Sequence, residues 1–146
     1  MTLARYSWQS FFVFTLLVPI LYAQDQNPKT LMSKYVFTQA GELPIILSAP
    51  HGGTGTVPGV EKRNVEGLPT GGAGFVVARD TGTEELAHDV ANAIQERLGK
   101  LPYQVISRTH RQYLDPNRPS DIAYDDSDAK PIYDFYHKTI EEFVRK

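Results

Sequence analysis

The stretch Leu43-Pro-Ile-Ile-Leu-Ser-Ala-Pro-His51-Gly-Gly53 joins an apolar run to a histidine and a pair of glycines. The run from Leu43 to Ala49 predicts a buried strand that ends at Pro50. His51 then lies directly past the end of a strand, which is where ligand sites collect in α/β folds. A neutral histidine is a common metal ligand. The alternative is a histidine that only caps a turn.

Two further strands and a helix follow along the chain. Phe75-Val-Val-Ala78 and Tyr103-Gln-Val-Ile-Ser107 are short apolar runs that predict strands. Between them the apolar residues recur every four positions and predict one helical stripe, formed by Leu86, Val90, Ile94 and Leu98. Thr83 can cap this helix and Gly99 can end it. The order strand, loop, strand, helix, strand predicts an α/β fold with a mixed sheet flanked by helices.

A glycine-rich loop separates the first two predicted strands. Eight glycines lie between His51 and Phe75. A stretch of this length is too long for a plain connector in a compact domain. We expect it to line a site or to stay mobile.

After Pro119 the sequence becomes acidic and then helical. The acidic residues predict an exposed connector and are Asp121, Asp125, Asp126 and Asp128. A helix is predicted from about Pro131, and its apolar stripe consists of Tyr133, Tyr136, Ile140, Phe143 and Val144. The sequence reaches Lys146 before any element that this stripe could cover, which predicts an incomplete N-terminal half of a domain.

The composition limits what this domain can do. A chain of 146 residues with 41% apolar and 22% charged side chains fits one globular core. The formal net charge of -2 gives no basic field for phosphate backbones, so nucleic acid is not expected as a partner. Because the chain has no cysteine, a metal ion would be held by His, Asp or Glu.

The N-terminal segment has the pattern of a secretory signal peptide. Arg5 precedes an apolar run from Phe11 to Ala23, and a polar stretch begins at Gln24. The apolar run is shorter than the ~20 residues that cross a bilayer, which favours a cleaved signal over the alternative, an N-terminal membrane anchor. We expect an exported protein, periplasmic or secreted, with no stable membrane insertion after signal cleavage.

Two more clusters of polar side chains follow the other predicted strands. Asp80 lies between a strand end and a helix, where its carboxylate could cap the helix or bind a metal ion. Glu84 and Glu85 fall in the first helical turn, where the helix dipole favours negative charge. His88 lies off the apolar stripe and is predicted to be solvated.

The densest cluster follows the third strand and consists of Arg108, His110, Arg111, Asp115, Asn117 and Arg118. The planar guanidinium fork of arginine matches a carboxylate, so this cluster suits the recognition of a small acidic substrate. One alternative is a loop of surface ion pairs. For Asp115 and Asn117 the other alternative is plain turn chemistry.

Together the three clusters resemble the N-formylglutamate amidohydrolase family, which belongs to the zinc carboxypeptidase-like (phosphorylase/hydrolase-like) fold group. The matching segments are Ala49-Pro-His51-Gly-Gly, Asp80-Thr-Gly-Thr-Glu-Glu-Leu86 and His110-Arg-Gln-Tyr-Leu-Asp115-Pro-Asn-Arg118-Pro. The resemblance runs from about Glu42 to Lys146 and implies a partial amidohydrolase-like domain at 42–146, after the predicted signal peptide at 1–23 and a lead-in at 24–41.

The family resemblance implies a zinc-dependent hydrolase that cleaves a non-peptide amide C–N bond of an acidic N-acyl amino acid such as N-formylglutamate. His51 and Asp80 would hold the zinc, with Glu84 as the alternative acidic ligand. The substrate would be bound or oriented by four residues of the third cluster, Asn117, Arg118, Arg111 and Arg108.

The same family draws its third zinc ligand from an Asp-x-His-Gly type segment and its general base from a later acidic residue, and neither lies before Lys146. Weak zinc binding and little turnover are therefore expected, unless His110 or a completing second chain supplies the ligand. The alternatives are a non-catalytic exported carboxylate-binding module, an inactive gene fragment, and a zinc carboxypeptidase-like peptidase. Thr54 argues against the peptidase, which would carry a glutamate there.

Overall fold

The computed structural model describes residues 28–64, 66 and 76–146. Its strands are β1 Val36–Gln39, β2 Ile46–Ala49 and β3 Tyr103–Ser107, and its helices are α1 Pro28–Met32, α2 Thr83–Leu98 and α3 Lys130–Val144. The predicted signal peptide lies outside the described residues. Within the described ranges, no helix has both the length and the apolar character that a membrane crossing requires.

The three strands form one mixed sheet in the order β1-β3-β2. The central strand β3 runs antiparallel to β1 and parallel to β2. This confirms the predicted α/β class and mixed sheet. The strand β1 lies within the predicted lead-in, residues 24–41, which the sequence pattern did not identify as part of the sheet. The first predicted strand begins later than expected, at Ile46, because Leu43 and Ile45 close a tight turn through the Ile45 N–H and the Leu43 carbonyl.

The predicted strand at Phe75–Ala78 is wrong in its described part. Residues 76–78 have no strand partner among the described residues, and Phe75 lies outside them. The backbone here has other partners: the Val76 carbonyl accepts a hydrogen bond from the Arg63 guanidinium, and the Asp80 N–H donates to the His51 carbonyl. The segment therefore crosses the end of the sheet instead of joining it.

The two long helices lie on opposite faces of the sheet. Phe37 of β1 packs against His88 of α2, with ring centroids 4.7 Å apart. The Ser48 hydroxyl of β2 hydrogen-bonds the Tyr136 hydroxyl of α3 at 2.6 Å. Because strand residues alternate between faces and the register places Val36, not Phe37, on the side of Ser48, the two contacts lie on opposite sides. The predicted flanking helices are thereby confirmed.

The α2 helix has the predicted bounds but not the predicted buried face. Gly99, with φ of 67°, ends it in the left-handed conformation as predicted, but Thr83 is the first helical residue and not the cap, because the N-cap position is Gly82 and the Thr83 hydroxyl donates to the Asp80 carbonyl. The stripe was expected to face the core, yet Leu86 and Leu98 are 60% and 59% exposed, and Ala91 is the fully buried residue. His88, predicted to be solvated, is half-buried against β1. The small side chain of Ala91 lets the helix lie close to the sheet, which turns the larger residues outward.

The α3 helix covers the opposite face of the sheet, which corrects the expectation that its stripe had nothing to cover. Ile132 and Tyr136 are buried in the main core with Val36 and Val105. The connector before it is anchored as well, because the Asp126 carboxylate accepts a hydrogen bond from the Glu61 N–H and caps a short 3-10 turn at Ser127–Ala129. The core therefore lies between the sheet and α3.

Candidate active site

His51 lies at the end of β2 with both ring nitrogens next to carboxylates. Its side chain is almost fully buried. Nε2 is 2.7 Å from Oδ1 of Asp115, and Nδ1 is 3.1 Å from Oδ2 of Asp80. The structure thus brings together one residue from each of the three clusters that the sequence singled out.

The parallel pairing of β2 and β3 explains why these residues meet. Parallel strands end at the same edge of a sheet, so the segments after Ala49 and after Ser107 emerge side by side. The pairing continues past the strands, since the Gly55 N–H donates to the Arg108 carbonyl at 2.7 Å and the His110 N–H donates to the Gly55 carbonyl at 2.8 Å. These bonds fix the loop that carries His51 against the loop that carries Asp115.

The glycines after His51 are required by close backbone contacts. A Cβ atom at Gly52 would lie 2.5 Å from the backbone nitrogen of Glu84. A Cβ atom at Gly53 would lie 2.2 Å from the carbonyl carbon of Arg108. Real Cβ atoms do not approach backbone so closely, so the His51 loop fits between α2 and β3 only with glycine at these positions.

Asp115 belongs to the third cluster that the sequence singled out, but its contact with His51 was not predicted. Its side chain is 0% exposed. The carboxylate accepts a hydrogen bond from Arg111 Nε at 2.8 Å and also pairs with His51. The expected turn is present, because the Asn117 N–H donates to Oδ1 and the Arg118 N–H to the Asp115 carbonyl. The side chain nevertheless points inward and fixes the imidazole. The sequence signals for Asp115 were its place in the third cluster and its position eight residues after a buried strand end, and neither gives a side-chain direction.

Burial alone would raise the pKa of Asp115, but hydrogen bonds from His51 and Arg111 outweigh it and lower the pKa from 3.8 to about 2. Because the folded-state pKa is depressed, the stabilisation is present above pH 4 and is lost as pH falls towards 2.

We expect Asp115 ionisation to contribute about 2 kcal/mol to the free energy of unfolding at neutral pH. Urea unfolding of the wild type and of Asp115→Asn between pH 2 and 6 should therefore show a stability difference that is constant above about pH 4 and shrinks as the pH falls towards 2. A difference that stays constant over this range would contradict the assigned pKa.

Two buried arginines hold the carboxylates in place. Arg111 donates from Nε to Asp115, and its Nη1 lies 3.7 Å from Oδ1 of Asp80. Arg63, which the sequence interpretation did not select, lies 3.8 Å from Asp115 and donates to the carbonyls of Val76, Arg111 and Ile122. Burial lowers the pKa of Arg63, and the charge of Asp115 opposes that shift. Arg111 therefore contacts both carboxylates that flank His51 and helps to hold them in place.

Glu84 and Arg108 lie beside this centre and contact each other. Glu84 Oε1 is 3.6 Å from Arg108 Nε. Arg108 also donates to the Ser33 carbonyl at 3.2 Å and stacks over the Phe37 ring at 5.1 Å. Of the two acidic ligand candidates, it is Asp80 that contacts His51. The contacts of Arg108 with Ser33 and Phe37 place it beside β1, and its role in substrate orientation stays a prediction.

Asn117 and Arg118 lie on the Asp115 side of the imidazole. The backbone of Arg118 is held by α3, whose Tyr133 hydroxyl donates to its carbonyl at 3.0 Å. His137 of the same helix contacts the Pro116 carbonyl at 3.0 Å through Nε2. The α3 helix thus fixes the segment that was predicted to bind the substrate carboxylate.

His110 lies near the site but is not one of the residues that contact the His51 ring, which are Asp80 and Asp115. Its Nδ1 accepts a hydrogen bond from the Gln112 N–H at 3.1 Å, which leaves the proton of the neutral ring on Nε2. Burial and the positive charges of Arg79 and Lys62 lower the pKa of His110. Within residues 28–64, 66 and 76–146, no three His, Asp or Glu side chains are placed to hold a metal ion.

The fold and site define an α/β protein with a carboxylate-flanked histidine at the edge of its sheet. Comparisons of the chain with family models, curated proteins and solved structures found no match. The functional assignment therefore depends on the residues themselves and on the family resemblance of the three clusters.

Proposed function

We propose that this chain belongs to a zinc-dependent hydrolase, of the zinc carboxypeptidase-like fold group, that cleaves the amide C–N bond of an acidic N-acyl amino acid. His51 Nδ1 and the Asp80 carboxylate are the proposed zinc ligands. The single observation that supports this most is the Asp115 carboxylate, fully buried and 2.7 Å from His51 Nε2. A metal-binding histidine typically donates its second ring N–H to such a carboxylate.

The chemistry of the donor set fits a metal ion. Because Asp115 is ionised at neutral pH, its carboxylate accepts a hydrogen bond from the Nε2–H of His51. The lone pair of a neutral His51 ring is then on Nδ1. Nδ1 faces Asp80, whose side chain is 51% exposed and so accessible from solvent. An imidazole nitrogen and a carboxylate oxygen, side by side and open on one side, are typical zinc ligands.

Zinc would polarise the substrate carbonyl and lower the pKa of a bound water. The residues of this chain would position the substrate around it. Asn117 and Arg118 would bind a carboxylate on the Asp115 side of His51, and Arg111 would keep Asp80 and Asp115 in place. Since a hydrolytic site uses three protein ligands, we expect zinc binding by the described residues to be weak.

Zinc titration of the full chain tests the assignment. We expect Asp80→Asn and His51→Ala to weaken zinc binding at least about tenfold, because each removes one of two ligands. Asp89→Asn is the matched control, since this aspartate is exposed on α2 and outside the site; its zinc affinity should equal that of the wild type. Equal zinc affinities for the wild type and the three variants would contradict the proposal.

An exported carboxylate-binding module remains the second candidate, and the observation that favours it is that no three-residue metal ligand group occurs among the described residues. It differs from the hydrolase in one measurable respect. A metal-free binder holds an acidic ligand equally well with and without a chelator, whereas the proposed site loses part of its affinity when zinc is removed.

A further inference from the structure

The outer side of α2 carries a row of apolar side chains that is open to solvent. The row has a four-residue spacing and consists of Leu86, Val90, Ile94 and Leu98. Leu86 and Leu98 are 60% and 59% exposed, and Val90 is 38% exposed. The helix meets the sheet on another side, where Ala91 is fully buried. An apolar row that stays exposed along a whole helix is typical of a surface that another macromolecule covers.

Charged side chains of opposite sign flank this row at its two ends. The adjacent row of α2 begins at Glu85 and ends at Arg97, each one position before a leucine of the apolar row. Both charged side chains are exposed, and neither has an ion-pair partner among the described residues. About 18 Å of helix separates the two, so they cannot pair with each other. An ion-pair partner for either one therefore has to come from outside this helix.

Two copies of α2 in antiparallel orientation match each other in both rows. A two-fold axis near the middle of the helix places Leu86 of one copy opposite Leu98 of the other. The same axis places Glu85 of one copy opposite Arg97 of the other. A two-fold interface requires this self-complementarity, because the same surface contributes both sides of the contact. A parallel pair would bring like charges together, so the charge pattern selects an antiparallel copy of the same helix.

We propose that a second copy of this chain binds the apolar row of α2 and forms a two-fold symmetric dimer. Rows with four-residue spacing on two helices interdigitate in the commonest class of helix packing. The contact is confined to one helix of 16 residues, so we expect it to bury less than the roughly 800 Å² per partner of a standard interface. The dimer is therefore weak, with a dissociation constant on the order of 10 to 100 µM. It is independent of the proposed hydrolase function.

Sedimentation velocity of the full chain between about 5 and 500 µM measures this equilibrium, because the range brackets the expected dissociation constant. We expect Leu86→Glu to weaken dimerisation at least about tenfold, because it places a carboxylate in the apolar contact of both copies. Val144→Glu is the matched control, since Val144 is an apolar residue, 70% exposed, at the end of α3 and outside the α2 row. Its dimerisation should equal that of the wild type.

Exchange of the two charges tests the antiparallel arrangement. Arg97→Glu alone and Glu85→Arg alone each replace two symmetry-related attractions by repulsions, so each should weaken dimerisation about fivefold. The double variant restores opposite charges across the axis, and its affinity should return to within about twofold of the wild type. Because every substituted side chain is exposed, all variants should unfold thermally as the wild type does, which is checked first.

A wild type that stays monomeric up to about 500 µM overturns the proposal and leaves the row to a different occupant, such as another protein or a lipid surface. Association that Leu86→Glu weakens no more than Val144→Glu does arises elsewhere in the chain and overturns it as well. A double charge variant that dimerises no more tightly than the two single variants contradicts the antiparallel pairing of α2.

Discussion

Replacing Asp115 with alanine is expected to lower the free energy of unfolding by about 3 to 5 kcal/mol, which is typical when one partner of a buried ion pair is removed. Asp115 is fully buried and contacts both His51 and Arg111, and Arg63 lies nearby. Without its carboxylate, two buried guanidinium groups lose a neighbouring anion and the imidazole loses the acceptor for Nε2–H. Stability and the shape of the site depend on the same carboxylate.

Urea unfolding followed by circular dichroism measures this loss, with Asp89→Ala on the exposed face of α2 as the control, expected to change stability by less than about 0.5 kcal/mol. Asp115→Asn keeps the size of the side chain and should be less destabilised than Asp115→Ala. If Asp115→Ala were as stable as the control, the proposed buried network would be contradicted.

The second large effect is expected from Gly53→Ala. The added methyl carbon would lie 2.2 Å from the carbonyl carbon of Arg108, and this neighbour is backbone that cannot rotate away. We expect a loss of about 3 kcal/mol or more, at the upper end of overpacking effects. Since the loop carries His51, zinc binding should weaken together with stability.

Gly59→Ala is the matched control for this substitution. Gly59 has φ of 82° and no atom within 4 Å of an added Cβ, so alanine there meets only backbone strain of about 1 to 2 kcal/mol. Thermal unfolding and zinc titration of both variants give the comparison. A Gly53→Ala protein no less stable than Gly59→Ala would show that the close contact with Arg108 does not exist in solution.

Local sequence patterns were sufficient to predict the helix α2 and the strand β3. The bounds of α2 follow from the four-residue apolar repeat and from Gly99, and the bounds of β3 follow from its own apolar residues. His51 and Asp80 could be selected because each is a polar residue directly after a segment predicted to be a strand. For His51 that segment is β2, whereas for Asp80 the predicted strand was wrong, although the structure does place the Asp80 carboxylate 3.1 Å from His51.

Other features depended on contacts between distant segments. The buried face of α2 was predicted incorrectly because an apolar repeat gives a periodicity but does not say which side meets a sheet, and here Ala91 makes the close approach. The strand β1 was missed because its four residues become a strand by pairing with β3, more than sixty positions later.

The sequence by itself determined the α/β class, the approximate bounds of α2, the start of α3 and the types of side chain available for chemistry, because these follow from periodicity, breaker residues and composition. Only the tertiary structure decided that Asp115 pairs with His51, that Arg111 contacts both Asp80 and Asp115, and that Arg108 lies beside β1. The physical reason is that a side chain's role depends on which groups the fold places within hydrogen-bonding distance. For His51 and Asp115, which are 64 positions apart, that distance is set by the parallel pairing of β2 and β3.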